Sequence, residues 1–189
     1  MRLAYVFALA ACTSSSSSVS GTVPGGGFDF ADTISATITT DDGTGGTSSF
    51  AQIVIGSTSG LCSDAEASPP IDRKGSRAIV IELRDNAGSQ STAPAAAGAY
   101  TIYPNTGSEP PKSATLSTIG LDNTCQTVDA QTASAHSGTV TLTDATGGVY
   151  KGSFDVTLDT GDHITGSFDP TACPALQTAA TNPDAPRCM

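Results

Sequence analysis

Ala78-Ile79-Val80-Ile81-Glu82-Leu83 runs almost directly into the turn signal Asn86-Ala87-Gly88, and this strand-then-turn unit decides the fold. β-Branched residues pack well on a pleated surface and lose side-chain freedom in a helix, so such a run reads as a strand. The same unit recurs along the chain, as in Ile34-Ser35-Ala36-Thr37-Ile38 and Gln52-Ile53-Val54-Ile55. Strands are predicted at 28–40, 50–59, 77–85, 98–104, 113–121, 137–144, 149–159 and 163–169. Turn residues stand between them: Asp41-Asp42-Gly43, Asn105-Thr106-Gly107, Gly147-Gly148 and Asp159-Thr160-Gly161. No long stretch has apolar residues at helical spacing. Ala93–Ala99 is interrupted by Pro94 and Gly98, and 63–76 and 105–112 carry Pro-Pro pairs and read as loops. Regular short strands with such punctuation indicate an all-β fold: a single antiparallel β-sandwich or barrel of about eight strands over residues 28–173, with 174–189 as a C-terminal tail.

Gly152-Ser153-Phe154-Asp155 recurs as Gly166-Ser167-Phe168-Asp169, with a fainter copy at Gly138-Thr139-Val140-Thr141. Three strands of equal pitch form a meander. Alternation puts Phe154, Val156 and Leu158 on one face, and Ile164 and Phe168 on one face of the next strand. Both sets reach the core only if the hairpin loop is odd, Thr160-Gly161-Asp162, which pairs Leu158 with Ile164 and Phe154 with Phe168.

The net charge of −10, from 18 acids and 8 bases, excludes the basic footprint of a nucleic-acid binder and a polybasic contact with anionic lipid. Aromatic residues make up 5% of the chain and Trp is absent, so the core is drawn from Val, Ile, Leu and a few Phe and Tyr. The acids are scattered over turns, as on a solvated surface.

Residues 1–11 place one base before a short apolar run that closes on small residues, the layout of a signal peptide. The run is far shorter than the roughly 20 apolar residues a spanning helix needs. Leu9-Ala10-Ala11-Cys12 is similar to the lipobox of bacterial lipoproteins. That resemblance implies a diacylglyceryl group on Cys12 and cleavage before it, with several acyl chains giving stable anchoring. Residues 12–27, rich in Ser and Gly, then serve as a flexible tether. Thr13, rather than Asp, follows the Cys, which in the enteric version of the family favours the outer membrane. The Gly-Ser-Phe-Asp strand ending near Cys173 also resembles a pattern in bacterial lipoproteins of no assigned activity.

Export places Cys62, Cys125, Cys173 and Cys188 in an oxidising compartment, where an even count implies disulfides. In an antiparallel meander, strand ends alternate between the two ends of the domain. Cys62 follows the second strand and Cys173 the eighth, so they share an end, while Cys125 follows the fifth. This favours Cys62–Cys173 with Cys125–Cys188. Cys62–Cys125 with Cys173–Cys188, and Cys62–Cys188 with Cys125–Cys173, stay open.

Leu158-Asp159-Thr160-Gly161 is similar to the loop of aspartic proteases, where two such loops bring two carboxylates together. Here Asp162 follows, no second copy exists, and the tripeptide is an ordinary hairpin turn. Gly56-Ser57-Thr58-Ser59-Gly60 has the outline of a nucleophile elbow, but Thr58 is central and no helical pattern follows. His136 and His163 lack partners at zinc-ligand spacing. Asp41, Asp42, Asp159 and Asp162 could offer oxygens to Ca²⁺, without the spacing of an EF-hand. The expectation is therefore no catalytic, metal or cofactor site. What remains is a non-enzymatic lipoprotein of the bacterial cell envelope, attached to the membrane through lipid on Cys12, with a binding or structural role. The alternatives are a lipocalin-like carrier with an apolar ligand inside the barrel, and a hydrolase using Asp159.

Overall fold

A computed structural model describes residues 17–189 apart from 42, 44, 89, 105 and 183. Cys12 and the proposed signal peptide lie outside the described residues. The strands are β1 (Ser18–Gly21), β2 (Asp32–Asp41), β3 (Thr47–Gly56), β4 (Ile71–Asp72), β5 (Arg77–Ala87), β6 (Gln90–Thr92), β7 (Gly98–Ile102), β8 (Lys112–Gly120), β9 (Ala133–Thr146), β10 (Val149–Leu158), β11 (His163–Phe168), β12 (Thr171–Ala172) and β13 (Arg187–Cys188). Two short helices, α1 (Leu61–Glu66) and α2 (Ala175–Thr181), join them. Each predicted strand has a counterpart, in β2, β3, β5, β7, β8, β9, β10 and β11.

The architecture is all-β but is not a simple antiparallel sandwich of eight strands. Eleven strands form one curled, mixed sheet in the order β1-β11-β10-β9-β7-β8-β5-β3-β2-β12, with β6 on β5. Two pairings within this sheet are parallel, β7 with β8 and β12 with β2, and β13 and β4 form a separate two-stranded parallel sheet. The first has a local cause. β8 and β9 pair only where Ser117 and Thr118 meet Ser134 and Ala133, and β7 fills the gap between them further along. Side chains then bridge the curl. Ser35 Oγ donates to the Gly148 carbonyl (2.9 Å), and Thr37 Oγ1 lies 2.6 Å from the Tyr150 hydroxyl. Ser17 Oγ accepts from Thr33 Oγ1 and from the Asp169 amide, tying the first strand to both β2 and the end of β11.

The concave face is filled. Ile53, Ile55, Ile79, Ile81, Leu83, Tyr100, Val140, Leu142, Phe154, Val156, Leu158, Ile164 and Phe168 belong to one buried cluster. Ile34, Ala36 and Ile38 are buried as well, but they stand on the opposite face, in register with Val54, Gln52 and Phe50. That second face of β2 is covered by α1 and α2.

The hairpin loop is odd, but it is Asp159-Thr160-Gly161. The Leu158 amide donates to the Asp162 carbonyl, the Gly161 amide donates to the Leu158 carbonyl, and Gly161 has φ +88°. A positive φ in the third position of such a loop suits glycine. The aligned pairs are Val156 with Ile164, Phe154 with Gly166 and Gly152 with Phe168. The faces are those the alternation requires, with Phe154, Leu158, Ile164 and Phe168 all buried. The pairing itself slips by two residues from Phe154-with-Phe168, because the loop turns one residue earlier.

The ordered domain also extends past both proposed boundaries. Ser18–Gly21 pair with β11, and Val23 is buried in the core, so residues 18–27 are not a free tether. The Arg77 guanidinium holds the carbonyls of Pro24, Gly26 and Gly27 and lies over the Phe28 ring. Residues 174–189, the C-terminal tail, hold α2 and β13.

Candidate functional site

The outer face of the sheet should alternate with the core face and be polar. Around α1 and α2 it is not. Ile34 of β2, Val54 of β3, Ala78 of β5 and Ile119 of β8 point outward and form the floor of a cleft of about 500 Å³. That volume lies within the range of small-molecule sites. The roof is made by α1, β4, α2 and the segment leading to β13.

Each roof element is held by an identifiable contact. Asp32 of β2 accepts from the amides of Gly60 and Leu61, both at 3.0 Å, and so meets the free amides at the start of α1. Leu61 then lies over Gly56, where an added Cβ would stand 2.9 Å from its methyl groups. Cys62 of α1 is bonded to Cys173, just before α2, with Cα atoms 5.6 Å apart. Gln177 of α2 bonds both the amide and the carbonyl of Thr39. The chain end is fastened by Cys125–Cys188 and by parallel pairing of β13 with β4. Cys125 has φ +58°, in a loop organised by the Asp122 carboxylate, which accepts from the amides of Thr124 and Gln126. The Thr124 hydroxyl, together with these backbone bonds, holds the Asp122 carboxyl below the usual carboxylate range.

Gln52, Asp64, Asp72, Arg73 and Asp184 are among the polar residues that line the cleft. Gln52 Oε1 is buried without a hydrogen-bond partner, the only side-chain oxygen or nitrogen so placed among the described residues. Leaving such an acceptor unmet costs about 1–3 kcal/mol. The buried Asp64 carboxylate is matched by Arg73, whose Nε donates to it at 2.8 Å and whose Nη2 donates to its other oxygen. This pairing strengthens the hold of Arg73 on its proton. Asp72 and Asp184 also line the cleft, and neither makes an ion pair with any described residue. Burial pushes the Asp72 carboxyl up.

The residues singled out in the sequence lie elsewhere or act structurally. Asp159 is part of the hairpin loop, where its carboxylate accepts from the Ser134 amide at 3.4 Å, while Asp162 accepts from the Thr160 hydroxyl. His136 is the extra residue of a bulge between β9 and β10, and its Nδ1 lies 3.0 Å from the Leu158 carbonyl. It shares an open polar groove with Glu82, Arg84 and Asp159. His163 instead pairs with Asp155 at 2.7 Å on the exposed surface. Asp41 accepts from the Gly43 amide, and Asp42 lies outside the described residues. Among the described residues no group of three or more His, Cys, Asp or Glu side chains could hold a metal ion. The Gly56–Gly60 stretch is followed by a helix, contrary to the sequence expectation, because Asp32 supplies a cap from another strand. Thr58 lines the cleft, but no histidine does.

Sequence reasoning missed Gln52, Asp64, Asp72, Arg73 and Asp184. One signal was present: Gln52 is the polar residue on an outward face whose neighbours, Ile34 and Val54, are apolar. The remaining four reach the cleft through the helices and the chain end, which no local pattern announces. The chain matches no protein-family model, and no curated protein or solved structure is significantly similar to it.

Proposed function

We propose that this protein is a lipid-anchored binding protein of the bacterial cell envelope, attached through Cys12, which takes a small ligand in the cleft beneath α1 and α2. The observation that carries the binding role is the cleft itself, about 500 Å³ with an apolar floor of Ile34, Val54, Ala78 and Ile119 on a sheet face that would otherwise be polar. The envelope location is supported by the lipobox-like Leu9-Ala10-Ala11-Cys12 and by two disulfides, which persist in oxidising compartments. The filled concave face argues against a ligand inside the barrel, so the lipocalin-like alternative gives way to a site on the outer face.

Two measurements test the two halves of this reading. Radioactive palmitate should label cells making the native chain and not cells making Cys12→Ser; equal labelling removes the anchor. A neutral naphthyl fluorophore should brighten on binding the Cys12→Ser chain and lose that response in Ala65→Trp, which fills the cleft from its roof. An unchanged response in Ala65→Trp removes the cleft as the site.

A further inference from the structure

Resting on the anchor reading of Cys12, we infer that a short leash turns one particular face of the domain to the membrane: the seam where Ser17 enters the fold, with the start of α1 beside it. The partner of this face is the headgroup layer of a phospholipid bilayer. Ser17 is buried, and its Oγ accepts from Thr33 Oγ1 of β2 at 2.9 Å and from the Asp169 amide at 3.0 Å. Ser18 follows in register with Ser167, the two hydroxyls 2.9 Å apart. Only residues 13–16 therefore stand between Cys12 and the folded domain. A chain spans at most about 3.6 Å per residue, so the path from Cys12 to Ser17 reaches no further than about 18 Å. The domain is longer than that: β2 runs to Asp41, about 26 Å beyond Thr33 at about 3.3 Å per residue.

What lies beside Ser17 decides which face is held near. Thr33 follows Asp32, whose carboxylate accepts from the amides of Gly60 and Leu61 at the start of α1. Thr171 of β12, just after Asp169, is aligned with Ile34. Ser59 and Thr171 are exposed and flank this point, whereas the β2–β3 hairpin, where Asp41 is aligned with Thr47, stands at the other end of β2. The charges here supply no attraction of their own for lipid. The Asp32 carboxylate is taken up by amides, that of Thr33 included, and Asp169 is paired with Lys151 at 2.8 Å. The leash, and not the surface, keeps this face and the α1 side of the cleft near the bilayer.

The chain contains no Trp, so one introduced Trp reports alone. The lipidated full chain carrying Ser59→Trp, Thr171→Trp or Thr47→Trp is reconstituted in phosphatidylcholine vesicles in which part of the lipid bears a nitroxide on its headgroup. Ser59→Trp and Thr171→Trp should lose most of their emission, and Thr47→Trp should keep most of it. Ser59→Trp gives the reading alone should Thr171→Trp disturb β12. Inserting about ten Gly and Ser residues after Thr13 should bring the three positions to similar quenching, because a flexible coil of that length lets the domain turn. Adding Cys12→Ser should leave all three unquenched. Equal quenching at the three positions without the insertion, or strongest quenching at Thr47→Trp, overturns the inference. A difference that survives the insertion, or quenching that survives Cys12→Ser, overturns it too, since the surface would then hold the lipid by itself. Failure of the chain to float with the vesicles removes the anchor reading on which the inference stands.

Discussion

Gly152 and Gly166 explain why Gly-Ser-Phe-Asp occurs twice. Across the β10–β11 pair, Gly152 faces Phe168 and Gly166 faces Phe154, so each copy supplies the gap that the other copy's ring fills. A Cβ at Gly152 would stand 2.1 Å from the Thr141 carbonyl oxygen and 2.9 Å from the Phe168 ring. At Gly166 it would stand 2.3 Å from the Ser18 carbonyl oxygen and 2.4 Å from the Phe154 ring. Gly152→Ala is therefore expected to cost about 1–3 kcal/mol, the usual penalty for overpacking, measured by urea unfolding. Unchanged stability would mean that the ring is not seated against the glycine. The sequence displays this repeat openly, yet it does not reveal the reciprocal pairing. Alternation fixes only the face, and two registers that differ by two residues bury the same side chains.

Asp72 supplies a second residue-scale expectation. Its carboxyl is held above the usual range by burial, so the folded state retains that proton more readily than the unfolded chain. The residue is then without penalty at low pH and costs stability as pH rises from the ordinary carboxylate range through the raised value. Asp72→Asn should be more stable than the native chain at neutral pH, with the two converging near about pH 3. Paired urea titrations at the two pH values check this, and a native chain more stable than the variant at neutral pH contradicts it.

Among the elements, the long strands were the legible part. β9 and β10 alternate openly, as in Phe154-Asp155-Val156-Thr157-Leu158, because one face meets the core and the other meets water. β3 and β5 contain the unbroken runs Ile53-Val54-Ile55 and Ile79-Val80-Ile81, which suit strands with cover on both sides. What covers them was not legible. α1 and α2 are short; Pro69-Pro70 follow α1 within four residues and Pro174 directly precedes α2. Neither helix has a periodic apolar stripe long enough to recognise. They exist because Asp32, Gln177 and the Cys62–Cys173 bond hold them to β2. Cys62→Ser with Cys173→Ser is accordingly expected to cost about 2–5 kcal/mol. In hydrogen exchange, the α2 amides should lose protection while Ile81 at the sheet centre keeps it. Equal loss at both places would show that the bond supports the whole sheet and not its cover.

At the scale of the whole molecule, the cysteine pairing and the topology came apart. Cys62–Cys173 and Cys125–Cys188 are the favoured pairs, but the meander used to favour them is not the sheet that forms. β7 lies between β8 and β9 and runs parallel to β8, a departure that depends on how two strands splay and leaves no trace in either strand's composition. The candidate cleft was hidden for the same reason. Its floor comes from four strands and its roof from segments more than a hundred positions apart, as the 111-residue separation of Cys62 and Cys173 illustrates.

β1 has a consequence at this scale. It is four residues long and pairs with the free side of β11 from Ser18–Ser167 to Gly21–Ile164. A chain begun at Phe28 would keep every long strand but lose β1 and the buried Val23. It would also leave the amides and carbonyls of β11 open along one edge, an invitation to pair with another chain. Light scattering should find such a chain more self-associated than one begun at Ser17, increasingly so with concentration; equal masses would show that the edge needs no guard. β1 thus behaves as a ligand that β11 carries in cis: the slot it occupies would accept any strand of matching pattern, and filling it from within the chain is what keeps a stranger out.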